Sequence, residues 1–422
     1  MAGGRESVTH PTILSGARIM ARAEALARCS EQPDGLTRVF LSQEHRAANE
    51  LVLGWMREAG MAARIDAMGN AVGRYEGDRP DLPCLMLGSH LDTVRDAGRY
   101  DGMLGVVTAI ECVSALHARG RRLPFAVEVL GFGDEEGVRF NATLIGSRAV
   151  AGTLRREVLD SVDRDGISMS EALRRFDLDP ERIDAATRRR EEVLAYAELH
   201  IEQGPVLEAE SIPVGVVTAI NGASRYAIEI DGLAGHAGTV PMALRQDAMA
   251  AAAECVLAVE RRAIAEPDLV GTVGKLECLP GAVNVVPGKV KLTLDVRSPR
   301  DDSRLAAAAE LIGEMQTISD RRGVQIKIAK THEGKSAPCA GWLQAQIGEA
   351  IAAEGFPVRR LPSGAGHDGM AMIDLVDIGM LFVRCEKGIS HNPAEAITLA
   401  DAEIGARVFL RFIETFDPTR KT

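Results

Sequence analysis

The 422-residue sequence has no stretch of 18 or more uncharged apolar residues, which excludes a helix able to span a lipid bilayer. Its first segment, Met1 to Ser30, is interrupted by Arg5, Glu6, Arg18, Arg22 and Glu24, so it does not read as a secretory signal. Paired cysteine motifs are missing too. Cys29, Cys84, Cys112, Cys255, Cys278, Cys339 and Cys385 are odd in number, scattered and never spaced C-x-x-C. They are expected to be reduced, core-filling thiols of a cytoplasmic protein. Surplus positive charge is also lacking: a net charge of −11 excludes the electrostatic footprint that nucleic acid or an anionic membrane surface requires. An anionic substrate would have to be drawn in by locally placed cations. No repeat or low-complexity tract is present, and the charge run Arg188-Arg189-Arg190-Glu191-Glu192 reads as a solvated surface.

What is present is a globular composition, 46% apolar and 26% charged. The length exceeds the roughly 250–300 residues at which one hydrophobic core stops growing, so at least two packed units are expected. Helical patterns cover Ala17–Arg28 and Gln43–Glu58, the second with Ser42 as N-cap and Gly60 as stop. The apolar runs Cys84–Gly88 and Phe125–Phe132 flank a helical segment, Met103–Arg119, which is the logic of a buried parallel sheet. From Tyr226 to Ala329 the pattern changes. Strand Tyr226–Ile230, helix Arg245–Ile264, strands Leu269–Cys278 and Lys289–Val296, helix Ser303–Asp320 and strand Val324–Ile328 follow in the order β-α-β-β-α-β, a ferredoxin-like split. Helical segments Trp342–Glu354 and Ala400–Phe416 then resume the earlier style. The expected fold is α/β: a discontinuous domain, residues 1–216 and 331–422, with a mixed, largely parallel sheet flanked by helices, interrupted by a ferredoxin-like domain at 217–330.

Four of the nine histidines, His10, His45, His117 and His332, lie in polar or helical-surface contexts and read as solvated imidazoles. The other five sit in dense motifs. In Gly88-Ser-His90-Leu-Asp92 an apolar strand ends on a histidine, where open α/β sheets place their sites, and Asp92 is close enough to take the other ring N–H of a ligating imidazole. In Tyr100-Asp101-Gly102 the acid can either cap the following helix or bridge two cations. Asp134-Glu135-Glu136 ends the next strand with three consecutive carboxylates, a costly crowding unless cations neutralise it. Glu198-Leu-His200-Ile-Glu202-Gln203 alternates in strand fashion, and Gly388-Ile-Ser-His391 follows the apolar run Met380–Val383. Five nitrogen or oxygen donors, His90, Asp101, Glu136, His200 and His391, thus suffice for two zinc-like ions sharing one carboxylate, with Zn²⁺, Mn²⁺, Co²⁺ and Ni²⁺ all open because no thiolate takes part.

In this order, GSHLDTV, YDGMLGV, GDEEGVRF, ELHIEQGPVLE, GLAGHAGTVPM, NVVPGKV, SGAGHDG and GISHNPAE make the chain resemble the di-metal amidohydrolases that include allantoate amidohydrolase, N-carbamoyl-L-amino-acid hydrolase and β-ureidopropionase. The resemblance implies one ion held by His90, Asp101 and His200 and a second by Asp101, Glu136 and His391. It also implies Glu135 as general base toward a metal-bridging water, and His236 as oxyanion donor, often from a partner subunit. Gln203, Arg225, Asn284, Arg297, Gly366 and His367 match substrate-binding positions, Arg297 being suited to grip a carboxylate with its planar fork. The implied activity is hydrolysis of a ureido or carbamoyl C–N bond on a small carboxylate substrate, releasing ammonia and CO₂. The inserted domain would serve as lid and as the contact of a homodimer. His200 stands where related peptidases and aminoacylases commonly carry an acid, which favours ureido substrates; an aminoacylase or dipeptidase with the same ions is the alternative. Gly131-Phe-Gly-Asp134 leans towards allantoate enzymes and the single basic residue in Ala223-Ser224-Arg225 leans away, leaving the exact substrate open.

Overall fold

The computed structural model describes residues 14–421. The expectations for His10 and for the start of the Met1–Ser30 segment lie outside the described residues. The described residues form two compact units, the first comprising 14–218, 339–361 and 367–421 and the second 219–338 and 362–366. The inserted segment therefore runs to Pro338, past the expected 330, because strand Gln325–Gly334 keeps pairing with strand Gly222–Asp231 as far as Gly334 opposite Ala223.

The first unit is built on a mixed sheet in the order Ala62–Ile65, Ala71–Tyr75, Ala126–Phe132, Cys84–His90, Val193–Ile201, Ile378–Val383, Val214–Ile220. The three central pairings are parallel and the outer ones antiparallel. Every residue of Cys84–His90, Ala126–Phe132 and Ile378–Val383 is buried, so these strands are apolar on both faces rather than alternating. On one face Leu85, Leu87, Val127 and Val129 share a core with Leu104, Val107 and Ile110 of helix Met103–Ala118 and with Phe409 and Phe412 of helix Leu399–Thr415. The near-total burial of Met103–Ala118 explains its almost unbroken apolar sequence. Ser42 caps Gln43–Glu58 by accepting from the His45 N–H at 3.1 Å, as expected.

In the second unit the elements follow as Gly222–Asp231, helix Ala248–Ile264, Val270–Thr272 with Leu276–Leu279, Lys289–Ser298, helix Asp301–Arg322 and Gln325–Gly334. The expected single strand over 269–278 is two short ones, both paired with Lys289–Ser298. The sheet order is Leu276–Leu279, Lys289–Ser298, Gly222–Asp231, Gln325–Gly334, all antiparallel. Burial alternates along Gly222–Asp231 and Lys289–Ser298. Ile228, Ile230, Leu292 and Leu294 pack with Val259 and Leu311 of the helices, while Arg225, Thr293, Asp295 and Arg297 occupy the opposite face.

Two surface expectations fail, both in the first unit. His45 is fully buried: its ring lies against Phe40 and Phe176, and Nδ1 accepts from the Leu41 N–H at 3.2 Å. Arg188 is not a solvated member of its charge run either, since its Nε donates to the buried Glu128 at 3.0 Å. Both belong with residues 137–192, a run of short helices whose side chains Phe140, Met169, Leu173 and Phe176 form a satellite core with Phe40 and Met68. Phe176 lies far from His45 in sequence and Glu128 far from Arg188, so helix periodicity around position 45 could not show the burial.

Burial, helped by the nearby Arg38 and Arg139 charges, holds the His45 imidazole down at about 3. An unfolded histidine titrates near ~6.5, so between these values the unfolded chain takes up a proton that the folded chain refuses, and stability falls as pH falls. His45→Asn keeps a carbonyl acceptor for the Leu41 N–H but cannot titrate. The variant should be less stable at pH 7, and the gap to wild type should shrink by up to ~1.4 kcal/mol per pH unit on acidification. Urea unfolding at several pH values measures this; a constant gap would refute the assignment.

Candidate metal centre

The site residues of the first unit stand at the carboxyl ends of its central strands. Parallel pairing places His90 opposite Phe132 and His200 opposite Phe382, and the two imidazoles stack with centroids 5.9 Å apart. Asp101 enters from the turn before helix Met103–Ala118. That turn needs Gly102, whose φ is +72° and where a Cβ would lie 2.5 Å from the His90 ring. His391 arrives on the loop after strand Ile378–Val383 in a left-handed conformation, φ 54°.

Around Asp101 the five donors form two groups. His90, Asp101 and His200 each offer an atom within 4.8 Å of the others, and so do Asp101, Glu136 and His391. The two oxygens of Asp101 divide between them. Oδ1 lies 3.6 Å from His90 Nε2 and 3.2 Å from His200 Nε2, whereas Oδ2 lies 3.2 Å from His391 Nε2. His391 Nε2 is also 3.5 Å from Glu136 Oε1. Asp101 is not the cap of the following helix, which has Gly102 at its N-cap position with no side-chain cap.

The donor set fits divalent cations on two observations. First, His90 Nδ1 lies 3.0 Å from the Asp92 carbonyl oxygen and His200 Nδ1 lies 2.9 Å from the Ile201 carbonyl oxygen, so each ring spends its Nδ1–H on a carbonyl and turns Nε2 toward Asp101. The Gly102 N–H donates to His200 Nε2 at 3.1 Å, which requires a lone pair there. Second, Asp92, Asp101, Asp134, Glu135, Glu198 and Asp368 are all buried here. Burial raises the Glu135 carboxyl well above its ordinary value and pushes Glu136 up to about 7, against the pull of His90. Bound cations would relieve this crowding.

Asp92, expected beside His90, accepts the backbone N–H groups of Glu135 at 3.0 Å and Glu136 at 3.2 Å with its carboxylate. Its carbonyl makes the hydrogen bond to His90 Nδ1, while its carboxylate Oδ1 stands 3.8 Å from the same nitrogen, so the residue faces both the imidazole and the acidic loop. Gln203 donates its amide to Asp101 Oδ2 at 3.0 Å and to Ser390 Oγ at 3.1 Å. Glu395 was not singled out from the sequence, although it closes the GISHNPAE motif. It accepts the N–H groups of Tyr100 and Asp101 at 2.8 and 3.1 Å and the Ser390 hydroxyl at 2.9 Å, tying the Asp101 turn to the His391 loop. Glu198 was noted only as part of a polar face needing a partner. It accepts from Ser89 Oγ at 2.8 Å, Tyr196 OH at 3.0 Å and the Gly369 N–H at 3.2 Å. His367 is fully buried with its ring 4.4 Å from that of His200, and burial holds it well below the ordinary imidazole value.

The other expected substrate residues lie in the second unit. His236 is exposed on a two-residue strand opposite Val285, and the adjoining Ala237 N–H donates to the Asn284 carbonyl at 2.9 Å. Arg297 already grips a carboxylate, that of Asp295, and donates Nη1 to the Gly364 carbonyl at 2.8 Å, two residues before Gly366. Arg225 shares the same Asp295.

The model of peptidase family M20/M25/M40 matches residues 86–415, and the chain belongs to that family. It is therefore a hydrolase, and its curated relatives act on non-peptide C–N bonds. An N-carbamoyl-L-amino acid amidohydrolase of Geobacillus stearothermophilus is 41% identical over 397 residues, 94% of this chain and 97% of that one. An allantoate deiminase of Arabidopsis thaliana is 38% identical over 445 residues, 98% of this chain and 84% of that one. A hydantoinase/carbamoylase-family amidase from Burkholderia multivorans superposes with a TM-score of 0.90 at 32% identity, covering 96% of this chain and 98% of that one.

If Asp101 joins the two donor groups, Asp101→Asn should weaken divalent-ion binding by more than ~100-fold and leave at most one ion per chain, while far-UV dichroism stays unchanged. Elemental analysis after dialysis against a metal buffer reads the stoichiometry. An undiminished pair of ions would sink the shared-carboxylate reading.

Proposed function

We propose that the protein hydrolyses the C–N bond of a ureido or carbamoyl group on a small carboxylate-bearing substrate, an N-carbamoyl-L-amino acid or allantoate. The observation that carries this reading is the Asp101 carboxylate, with one oxygen toward each of two donor groups and the buried Glu135 beside them. The names of the two curated relatives support the substrate class.

His90, Asp101 and His200 would hold one divalent ion and Asp101, Glu136 and His391 the other. Ions bound there supply Lewis acidity and can lower the pKa of water from ~16 towards ~7. Glu135, whose carboxyl burial raises, takes the proton of the attacking water and passes it to the leaving nitrogen. Water adds to the ureido carbon, the terminal nitrogen leaves as ammonia, and the remaining carbamate loses CO₂. In this reading His236 stabilises the oxyanion. Arg225, Arg297, Asn284, Gln203, Gly366 and His367 select the rest of the substrate. The second unit, whose strand order suits a ferredoxin-like fold, also joins two copies into a homodimer. Exposed Met242 and Leu244, on the short helix Met242–Leu244, and Val283, just before the strand opposite His236, support that contact.

Protein reconstituted with Mn²⁺, Zn²⁺ or Co²⁺ should release ammonia from allantoate or from N-carbamoyl-L-amino acids. Glu135→Gln should lower that rate by ~10²–10⁴-fold and keep the ions. Cleavage of N-acyl amino acids or dipeptides alone would replace the proposal with an aminoacylase or dipeptidase. Sedimentation should give a dimer at assay concentration; a fully active monomer would remove the homodimer.

A further inference from the structure

We propose that Asp295 is a specificity-determining residue, setting an anion pocket of the second unit to accept a substrate that carries a single carboxylate there. The inference rests on the function proposed above, since it takes the pocket's ligand to be the substrate's carboxylate.

The pocket lies on the helix-free face of the second unit's sheet. Antiparallel register sets Asp295 directly opposite Arg225, and Arg297, two residues on, shares their face. One carboxylate therefore meets two guanidiniums. Asp295 Oδ2 accepts from Arg225 Nε at 3.1 Å and from Arg297 Nη2 at 2.9 Å, and Oδ1 accepts from Arg297 Nε at 3.1 Å. Arg297 Nη1 is anchored on the Gly364 carbonyl, so its fork is fixed at both ends. Arg225 is looser: its side chain is 48% exposed, and its terminal nitrogens have no acceptor among the described residues. The three face a cavity of 520 Å³ whose rim adds the threonines Thr272, Thr293 and Thr331.

The charge of this pocket is set by Asp295. Its lining contains Arg225, Arg297 and Asp295 as the only charged side chains among the described residues, a surplus of one positive charge in a protein of net charge −11. Burial would raise the Asp295 carboxyl, but Arg297 and Arg225 outweigh it and keep the group below its ordinary value, hence anionic. His332, opposite Arg225 on the next strand, adds nothing at neutral pH: burial and the Arg225 charge hold its imidazole low. A monoanion brings the pocket to neutrality. A second carboxylate has no cation left to meet it and faces Asp295. Were the aspartate only a link between strands, the Arg225 pair would suffice; the fork of Arg297 on the same carboxylate makes it the element that spaces and half-neutralises both cations.

Calorimetric titration of the metal-free, full-length chain with propionate and with succinate tests this, because no ion is present to bind either probe. Asp295→Asn should raise the affinity for succinate about tenfold relative to propionate, the effect of one partly screened charge pair. Arg225→Gln should weaken propionate by a similar factor. An unchanged succinate-to-propionate ratio in a folded Asp295→Asn overturns the proposal. If that variant unfolds, Arg225→Gln decides, and propionate binding equal to wild type overturns it. With ions restored, Asp295→Asn should lower KM for N-carbamoyl-L-aspartate relative to N-carbamoyl-L-alanine. Wild-type protein that hydrolyses no ureido acid overturns the function proposed above, whereas the calorimetry still reads the pocket's charge preference.

Discussion

The Asp101 carboxylate faces two ways, with Oδ1 toward His90 and His200 and Oδ2 toward His391. A carboxylate so placed is stable only if each oxygen is matched by positive charge or by a donor, and the surrounding structure is arranged around that demand. Gln203 donates to Oδ2, and Glu395 fixes the backbone on which the aspartate stands. Gly102 lets the turn pass against the His90 ring, where any side chain would collide. The sheet contributes the rest. Parallel pairing brings the ends of strands Cys84–His90, Ala126–Phe132 and Val193–Ile201 into one layer, so side chains distant in sequence meet without long loops.

The same constraint accounts for the local chemistry. His90 and His200 each place Nδ1 against a backbone carbonyl, a partner that cannot change protonation state, which fixes the orientation of the ring and turns its Nε2 toward Asp101. Asp92 holds the Glu135-Glu136 backbone as well as facing the His90 imidazole, so one carboxylate positions both the residue read as base and the residue read as ligand. Burial, and after it the neighbouring carboxylates, raises the carboxyls of Glu135 and Glu136 in the protein alone, and this is the cost that bound cations would offset.

The second unit solves a different problem. Its alternating strands bury one face and leave the other polar, so Arg225 and Arg297 can supply positive charge to a protein whose overall charge repels anions. Asp295 keeps those two guanidiniums apart yet aligned, which is the same device as Asp101 with the charges reversed.

Much of this was legible in the linear order of residues. Unbroken apolar runs announced the buried strands, alternation announced the two-faced sheet, and the motif series gave the donors, because short-range pattern reflects burial and ligand chemistry directly. Three kinds of fact required the fold. His45 reads as a surface residue because its aromatic cage comes from Phe40 and from Phe176, far along the chain. Asp92, Gln203 and Glu395 have partners that proximity in sequence does not reveal, since hydrogen-bond direction depends on where each carboxylate or amide is turned. Asp295 carried no motif at all; only strand register, which pairs it with Arg225 across 70 positions, made it part of a pocket. Residue type and spacing thus determined what chemistry the chain can perform, while the tertiary structure decided which atoms face one another, because the direction of a side chain is set by packing and register rather than by its neighbours in sequence.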